Sequence, residues 1–198
     1  MSYRLLEKNL GFEQPLPVTE TWSAAPDFLT LISDHCLQNK PEVIVECSSG
    51  TSSLVLSRCC QINQTGHVFS LENGEAFVSK TNDELKDFSL SGYCDVIHAP
   101  LRETVLDDGQ YQWYDITRLA EKTIDMLVID GPPGFLQKHS RYPALPVLSD
   151  RLAEKCVVFL DDAARDDEQQ LVRNWLQDHP EFSYEYIDNE RGCSILRR

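Results

Sequence analysis

A β-branched run, Val43-Ile44-Val45, reaches Glu46 and passes at once through Cys47-Ser48-Ser49-Gly50-Thr51-Ser52-Ser53 into a helical pattern, Leu54 to Gln61. Small residues between a strand end and a helix start let a ligand approach the backbone. The helix N-terminus adds free N–H groups and a favourable dipole. The acid at the strand tip suits a ribose hydroxyl or an ammonium group. The segment is therefore read as a cofactor-binding turn, and it commits the chain to strands that alternate with helices.

The rest of the sequence repeats that alternation. Pro15 and Pro17 break any helix near the start, so residues 1–22 are expected to form an irregular arm. Phe28, Leu29, Leu31, Ile32, His35, Cys36 and Leu37 form a 3.6-period stripe behind Pro26. Strands are predicted over 42–46, 67–71, 94–98, 124–130 and 156–160. Helices are predicted over 52–61, 74–88, 143–154 and 166–178. Residues 101–121 are mixed, with a turn at Asp107-Asp108-Gly109, and 182–187 and 193–196 flank a turn and read as an antiparallel hairpin. Short, nearly continuous apolar strands indicate a parallel sheet covered on both faces. In such sheets ligands bind beyond the carboxyl ends of the strands. The tips here are Glu46, Glu72, His98-Ala99-Pro100, Asp130 and Asp161-Asp162.

Composition narrows the partners. The 198 residues suit one domain, and the net charge of −14 repels phosphate backbones, so nucleic acid is not an expected partner. No apolar run approaches the roughly 20 residues that span a bilayer, and the first residues lack the apolar core of a signal peptide. Seven cysteines, an odd number without a C-x-x-C pair, read as buried thiols in a reducing cytoplasm.

Spacing separates two cofactor classes. A dinucleotide fold wants G-x-G-x-x-G after the first strand, and only Gly50 is present. A cofactor without a pyrophosphate fits Glu46 better. At these residues the chain, over roughly 40–198, resembles the class I S-adenosylmethionine-dependent methyltransferases. ECSSGTSS is similar to their methionine loop, with Cys47 in place of the usual first glycine. VIDGPPG and VVFLDDA resemble the catechol-type and sugar or natural-product O-methyltransferases.

The resemblance implies an α/β, Rossmann-like, doubly wound and mostly parallel seven-stranded sheet with a C-terminal antiparallel hairpin and helices on both faces. Residues 23–198 would form a single methyltransferase domain. It implies S-adenosyl-L-methionine as cofactor, bound by Glu46, Ser48, Ser49, Gly50 and Ser52, by Glu72 at the ribose, by Ala99, Pro100 and Leu101 along the adenine, and by Asp130. Trp22, before the first helix, matches a segment that closes over the cofactor in related enzymes. Some relatives hold a divalent metal at positions matching Asp130, Asp161 and Asp162. Such a cluster of carboxylates needs a cation or raised pKa values, and oxygen ligands suit Mg²⁺ or another hard divalent ion.

Asp130 and His139 are the candidates for the catalytic base. Trp113 and Tyr114 offer aromatic faces to a ring or a sulfonium, and Lys138 and Arg141 offer positive charge to an acidic substrate. The expected function is methyl transfer to a hydroxyl of a small molecule, a sugar or natural product. Two alternatives stay open: a nicotinamide-dependent oxidoreductase of the same architecture, and a catalytically silent cofactor-binding or interaction protein. The arm and the hairpin edge also leave a homodimer open.

Overall fold

The computed structural model of the chain describes residues 2–19 and 21–198. Its centre is a seven-stranded sheet built from β1 (Val43–Cys47), β2 (His67–Glu72), β3 (Cys94–His98), β6 (Ile124–Ile129), β7 (Leu152–Leu160), β8 (Ser183–Ile187) and β9 (Cys193–Arg197). The spatial order is β3-β2-β1-β6-β7-β9-β8. The first five of these strands run parallel, and β9 pairs antiparallel with both β7 and β8.

Residues alternate between two apolar layers because strand side chains alternate in direction. Ile44, Met126, Val128 and Phe159 pack with α2 (Pro26–Asn39) and α3 (Thr51–Asn63), through Phe28, Ile32 and Leu54. Val45, Leu127, Ile129 and Val158 face the other way, onto Leu145 and Leu148 of α5 (Ala144–Leu148) and Leu171 and Trp175 of α6 (Asp166–Asp178). Leu85 of α4 (Glu75–Asp87) joins the first layer. Both faces are thus covered, as a parallel sheet requires.

Chain order reverses beside β1. The chain steps outward to β2 and β3, then crosses back to lay β6 on the free side of β1. The carboxyl ends of β1 and β6 therefore border the crevice where ligands bind in open sheets of this kind.

Three segments differ from the sequence expectation. The arm expected to be irregular contains α1 (Tyr3–Leu10), capped by Ser2, ended by Gly11 at φ 65°, and buried through Leu6 and Leu10. Met1 and Glu20 of that arm lie outside the described residues. The mixed segment is a hairpin of its own, β4 (Leu101–Leu106) with β5 (Gly109–Tyr114). The helix expected over 143–154 stops at Leu148 with one further 3-10 turn, and β7 already begins at Leu152, where Ile124 pairs with it. No helix among the described residues is long and apolar enough to cross a membrane.

Candidate active site

A cavity of about 1100 Å³ opens at the carboxyl ends of β1, β2, β6 and β7. Ser48, Ser49, Thr51 and Ser52 line it from the turn after β1, Glu72 and Asn73 from the end of β2, and Tyr114 from the end of β5. Asp130 and Gly131 line it after β6, and Asp162, Arg165 and Glu168 after β7. Trp22, Phe77, Phe135 and Leu136 also line it, and each is well exposed. The Trp22 and Phe135 rings meet edge to face with centroids 6.3 Å apart.

The turn after β1 is held from behind. Glu46 is fully buried, and its Oε2 accepts hydrogen bonds from Ser53 Oγ and Ser70 Oγ, both at 2.6 Å. Ser53 Oγ in turn accepts from the Gly50 N–H at 3.1 Å. Burial pushes the Glu46 carboxyl up to about 7, against the pull of the serine hydroxyls that bond it. The turn itself is tightly wound. Gly50 sits at φ 127°, a region that disfavours any Cβ, and Ser48 accepts φ 138°, a cost of about 1–3 kcal/mol borne by the surrounding structure.

Glu72 faces this turn across the cavity. Its Oε2 accepts from Ser49 Oγ at 2.8 Å, and its Oε1 accepts from the Gly74 N–H at 2.8 Å. Both oxygens are thereby aimed while the carboxylate still borders the cavity. Each keeps lone-pair capacity for another donor.

Beyond β6 and β7 the charge is dense. Asp130, Asp161 and Asp162 bring one carboxylate oxygen each within 4.8 Å of one another. Arg141 runs into this group with a side chain only 3% exposed. Its Nη2 donates to Asp162 Oδ2 at 2.8 Å, to Asp130 Oδ1 at 3.1 Å and to the Asp130 carbonyl at 2.9 Å, and its Nη1 donates to the Asp161 carbonyl at 2.8 Å. Burial alone would lower the Arg141 pKa, but the surrounding carboxylates outweigh it and keep the guanidinium charged. Burial raises the carboxyls of both Asp130 and Asp161.

A family model described as "Methyltransferase domain" matches residues 45–163. The chain belongs to this methyltransferase family. The match spans the turn after β1, Glu72, Asp130 and the Asp161-Asp162 pair. Solved methyltransferases share the fold. An O-methyltransferase from Bacillus cereus in complex with SAH aligns with a TM-score of 0.68 and 15% identity over 99% of this chain and 90% of that one. The SAH-bound methyltransferase PaMTH1 of Podospora anserina gives 0.69 and 14% over 98% and 86%. The O-methyltransferase TomG of Streptomyces achromogenes, in complex with SAM, gives 0.62 and 14% over 97% and 85%. No curated protein matches the chain in sequence.

Within this methyltransferase domain the residues expected from sequence separate into two groups. Trp22, Ser48, Ser49, Ser52, Glu72, Tyr114, Asp130 and Asp162 line the cavity. Glu46, Gly50, Ala99, Pro100, Leu101, Trp113, Lys138, His139, Arg141 and Asp161 do not. Glu46 sits one residue before the end of β1, under the turn. Ala99 gives its N–H to the Glu72 carbonyl at 2.8 Å, and Pro100 and Leu101 lead away into β4. Trp113 is fully buried and packs edge to face on Tyr114, with centroids 5.0 Å apart. Lys138 is exposed elsewhere. His139 is half-buried at φ 53°, its Nε2 enclosed without a partner among the described residues, and burial lowers its pKa.

Arg141, expected to present charge to a substrate, points inward instead, because the carboxylates at the tips of β6 and β7 would otherwise be buried uncompensated. That placement bears on the metal as well. Its Nη2 bridges two of the three prospective ligands, so Asp130, Asp161 and Asp162 do not fit an ion in this arrangement.

Sequence reasoning did not single out Asn73, Phe77, Phe135, Arg165 or Arg191 as lining residues. Phe77 carried a readable signal, a large apolar side chain in the first turns of a polar helix. Arg191 carried none. It reaches the cavity because the β8–β9 turn pairs with the chain after β7, with Ala163 N–H on the Gly192 carbonyl and Ala164 N–H on the Arg191 carbonyl, both at 2.9 Å.

Proposed function

We propose that the protein is an S-adenosylmethionine-dependent O-methyltransferase acting on a hydroxyl of a small molecule such as a sugar or natural product. The observation that carries this reading is the pair of aimed oxygens of Glu72 facing the serine-rich turn across one cavity. A carboxylate with open lone pairs takes a vicinal diol by charge-assisted hydrogen bonds. The small side chains of the turn leave room for the amino-acid end of the donor. The cofactor supplies a methyl group on a cationic sulfur, which is already activated for displacement.

The protein's own share is placement. The turn and Glu72 fix the donor at one side of the cavity, and alignment with the acceptor hydroxyl converts a bimolecular encounter into a unimolecular step. Asp130 lines the same cavity, its backbone and one carboxylate oxygen held by Arg141, and its other oxygen takes the proton of the acceptor hydroxyl. His139, outside the cavity lining, has no part in this scheme. The exposed rings of Trp22 and Phe135, set edge to face, offer apolar surface to the acceptor.

We assign residues 23–198 to the catalytic domain and regard α1 as a strap packed on it. All seven cysteines are buried and unpaired, which suits a cytoplasmic protein. Calorimetric titration with S-adenosylhomocysteine tests the reading. One-to-one binding that Glu72→Ala weakens by at least about 2 kcal/mol supports it. Binding of NADH without binding of S-adenosylhomocysteine would favour an oxidoreductase instead.

A further inference from the structure

We propose that the guanidinium of Arg141 stands where a divalent ion would have to stand, so that the protein binds no such ion between Asp130, Asp161 and Asp162 and acts at this site without one. The second half of this statement rests on the methyltransferase function proposed above; the first half does not.

The three carboxylates offer a spacing that an ion accepts, with one oxygen each within 4.8 Å of the others. A hard divalent ion would touch those oxygens at roughly 2.0–2.6 Å. Nη2 of Arg141 already lies 3.1 Å from Asp130 Oδ1 and 2.8 Å from Asp162 Oδ2. Two cations that share the same two oxygens repel each other at close range in a poorly solvated place. Arginine does not yield by losing its proton.

Nor is the side chain free to swing out. It is 3% exposed, it holds the carbonyl oxygens of Asp130 and Asp161, and its Nε lies 4.0 Å from Glu168. Withdrawal would leave those buried acceptors unpaired. A second guanidinium, Arg165, stands 3.0 Å from Asp162 Oδ2. Only Asp161 keeps both carboxylate oxygens without a partner among the described residues. One fully buried carboxylate does not make a site for an ion that takes six or more oxygen ligands. Arg141 is thus a positioning residue that fixes Asp130 in the role an ion would otherwise fill.

Electron paramagnetic resonance of Mn²⁺ mixed with the full chain tests this without reference to turnover. The wild-type protein is expected to bind Mn²⁺ no better than Asp162→Asn, whereas Arg141→Met binds it about tenfold more tightly than wild type once the competing charge is gone. Saturable one-to-one Mn²⁺ binding by the wild type that Asp162→Asn abolishes would overturn the proposal. A folded Arg141→Met protein that remains indifferent to Mn²⁺ would overturn it too. If Arg141→Met does not fold, the wild-type and Asp162→Asn comparison decides alone. Titration of the same samples with S-adenosylhomocysteine keeps the two claims apart, since failure to bind that ligand counts against the donor and leaves the ion result standing.

Discussion

The hydroxyl of Ser49, two residues past the end of β1, donates to the carboxylate of Glu72, at the end of β2, over 2.8 Å. This bond joins the two strand tips on which the donor is proposed to lie. Thr81 Oγ1 stands 3.2 Å from the same hydroxyl and ties the pair to α4. Removing the carboxylate should therefore act on the ligand far more than on the fold. Glu72→Ala is expected to weaken S-adenosylhomocysteine binding by at least about 2 kcal/mol, the worth of hydrogen bonds to a charged group, with its melting temperature near that of the wild type. Calorimetry and a thermal melt on the same sample check both halves.

Asp130→Asn keeps the shape of the side chain and removes its capacity to take a proton. Turnover is expected to fall by roughly 10²-fold or more, while affinity for S-adenosylhomocysteine changes much less. Steady-state kinetics with an accepted hydroxyl substrate, set beside the binding titration, separates the two effects.

Glu46 makes stability depend on pH. Its carboxyl is raised to about 7 in the folded protein by burial, above its ordinary value of 4.5. Between these values the folded state holds a proton that the unfolded state has lost, so stability falls as pH rises. The contribution is fully present below about pH 4.5 and is lost as pH passes the folded value. Glu46→Gln keeps an acceptor for Ser53 and Ser70 and cannot ionise. Denaturant melts at pH 5.5 and 8 are expected to show a smaller loss of stability in this variant than in the wild type, the difference being about 2 kcal/mol.

Gly131 has no room for a side chain. A Cβ there would collide with the Tyr114 hydroxyl and lie 3.1 Å from the Cys47 carbonyl. Gly131→Ala should cost about 1–3 kcal/mol, as overpacking does. Tyr114→Phe on the same chain should return part of that loss, because the nearest clash is with the hydroxyl. A double-mutant cycle from urea melts measures the coupling directly.

The fold was largely legible in the sequence because parallel strands announce themselves. Ile124 to Ile129 and Cys156 to Leu160 are nearly continuous apolar runs, and each is followed at once by Asp. The hairpin of β4 and β5 was not legible, since its strands mix exposed Arg102, Glu103 and Gln112 with buried Trp113 and show no clean alternation. The strap α1 did carry a helical signature, with Ser2 before it, Gly11 after it and Leu6 and Leu10 four residues apart, and the breakers Pro15 and Pro17 lie beyond its end.

In the site, local chemistry was readable and long-range packing was not. The small residues after Val45 and the acid ending β2 mark a cavity wall from sequence alone. Whether a charged side chain such as Arg141 faces solvent or turns inward depends on how many carboxylates meet it, and those come from β6, β7 and α6 together. Glu46 shows the same limit, since the strand runs two residues beyond its β-branched run, to Cys47, and the acid sinks beneath the turn.

A crystal structure of the protein grown with S-adenosylhomocysteine tests the central claim most directly. The ribose hydroxyls should stand within hydrogen-bond reach of both Glu72 oxygens, about 2.7 Å, with the amino-acid end against Ser48 to Ser52. A ribose bound away from Glu72, or a ligand absent from this cavity at saturating concentration, would contradict the account.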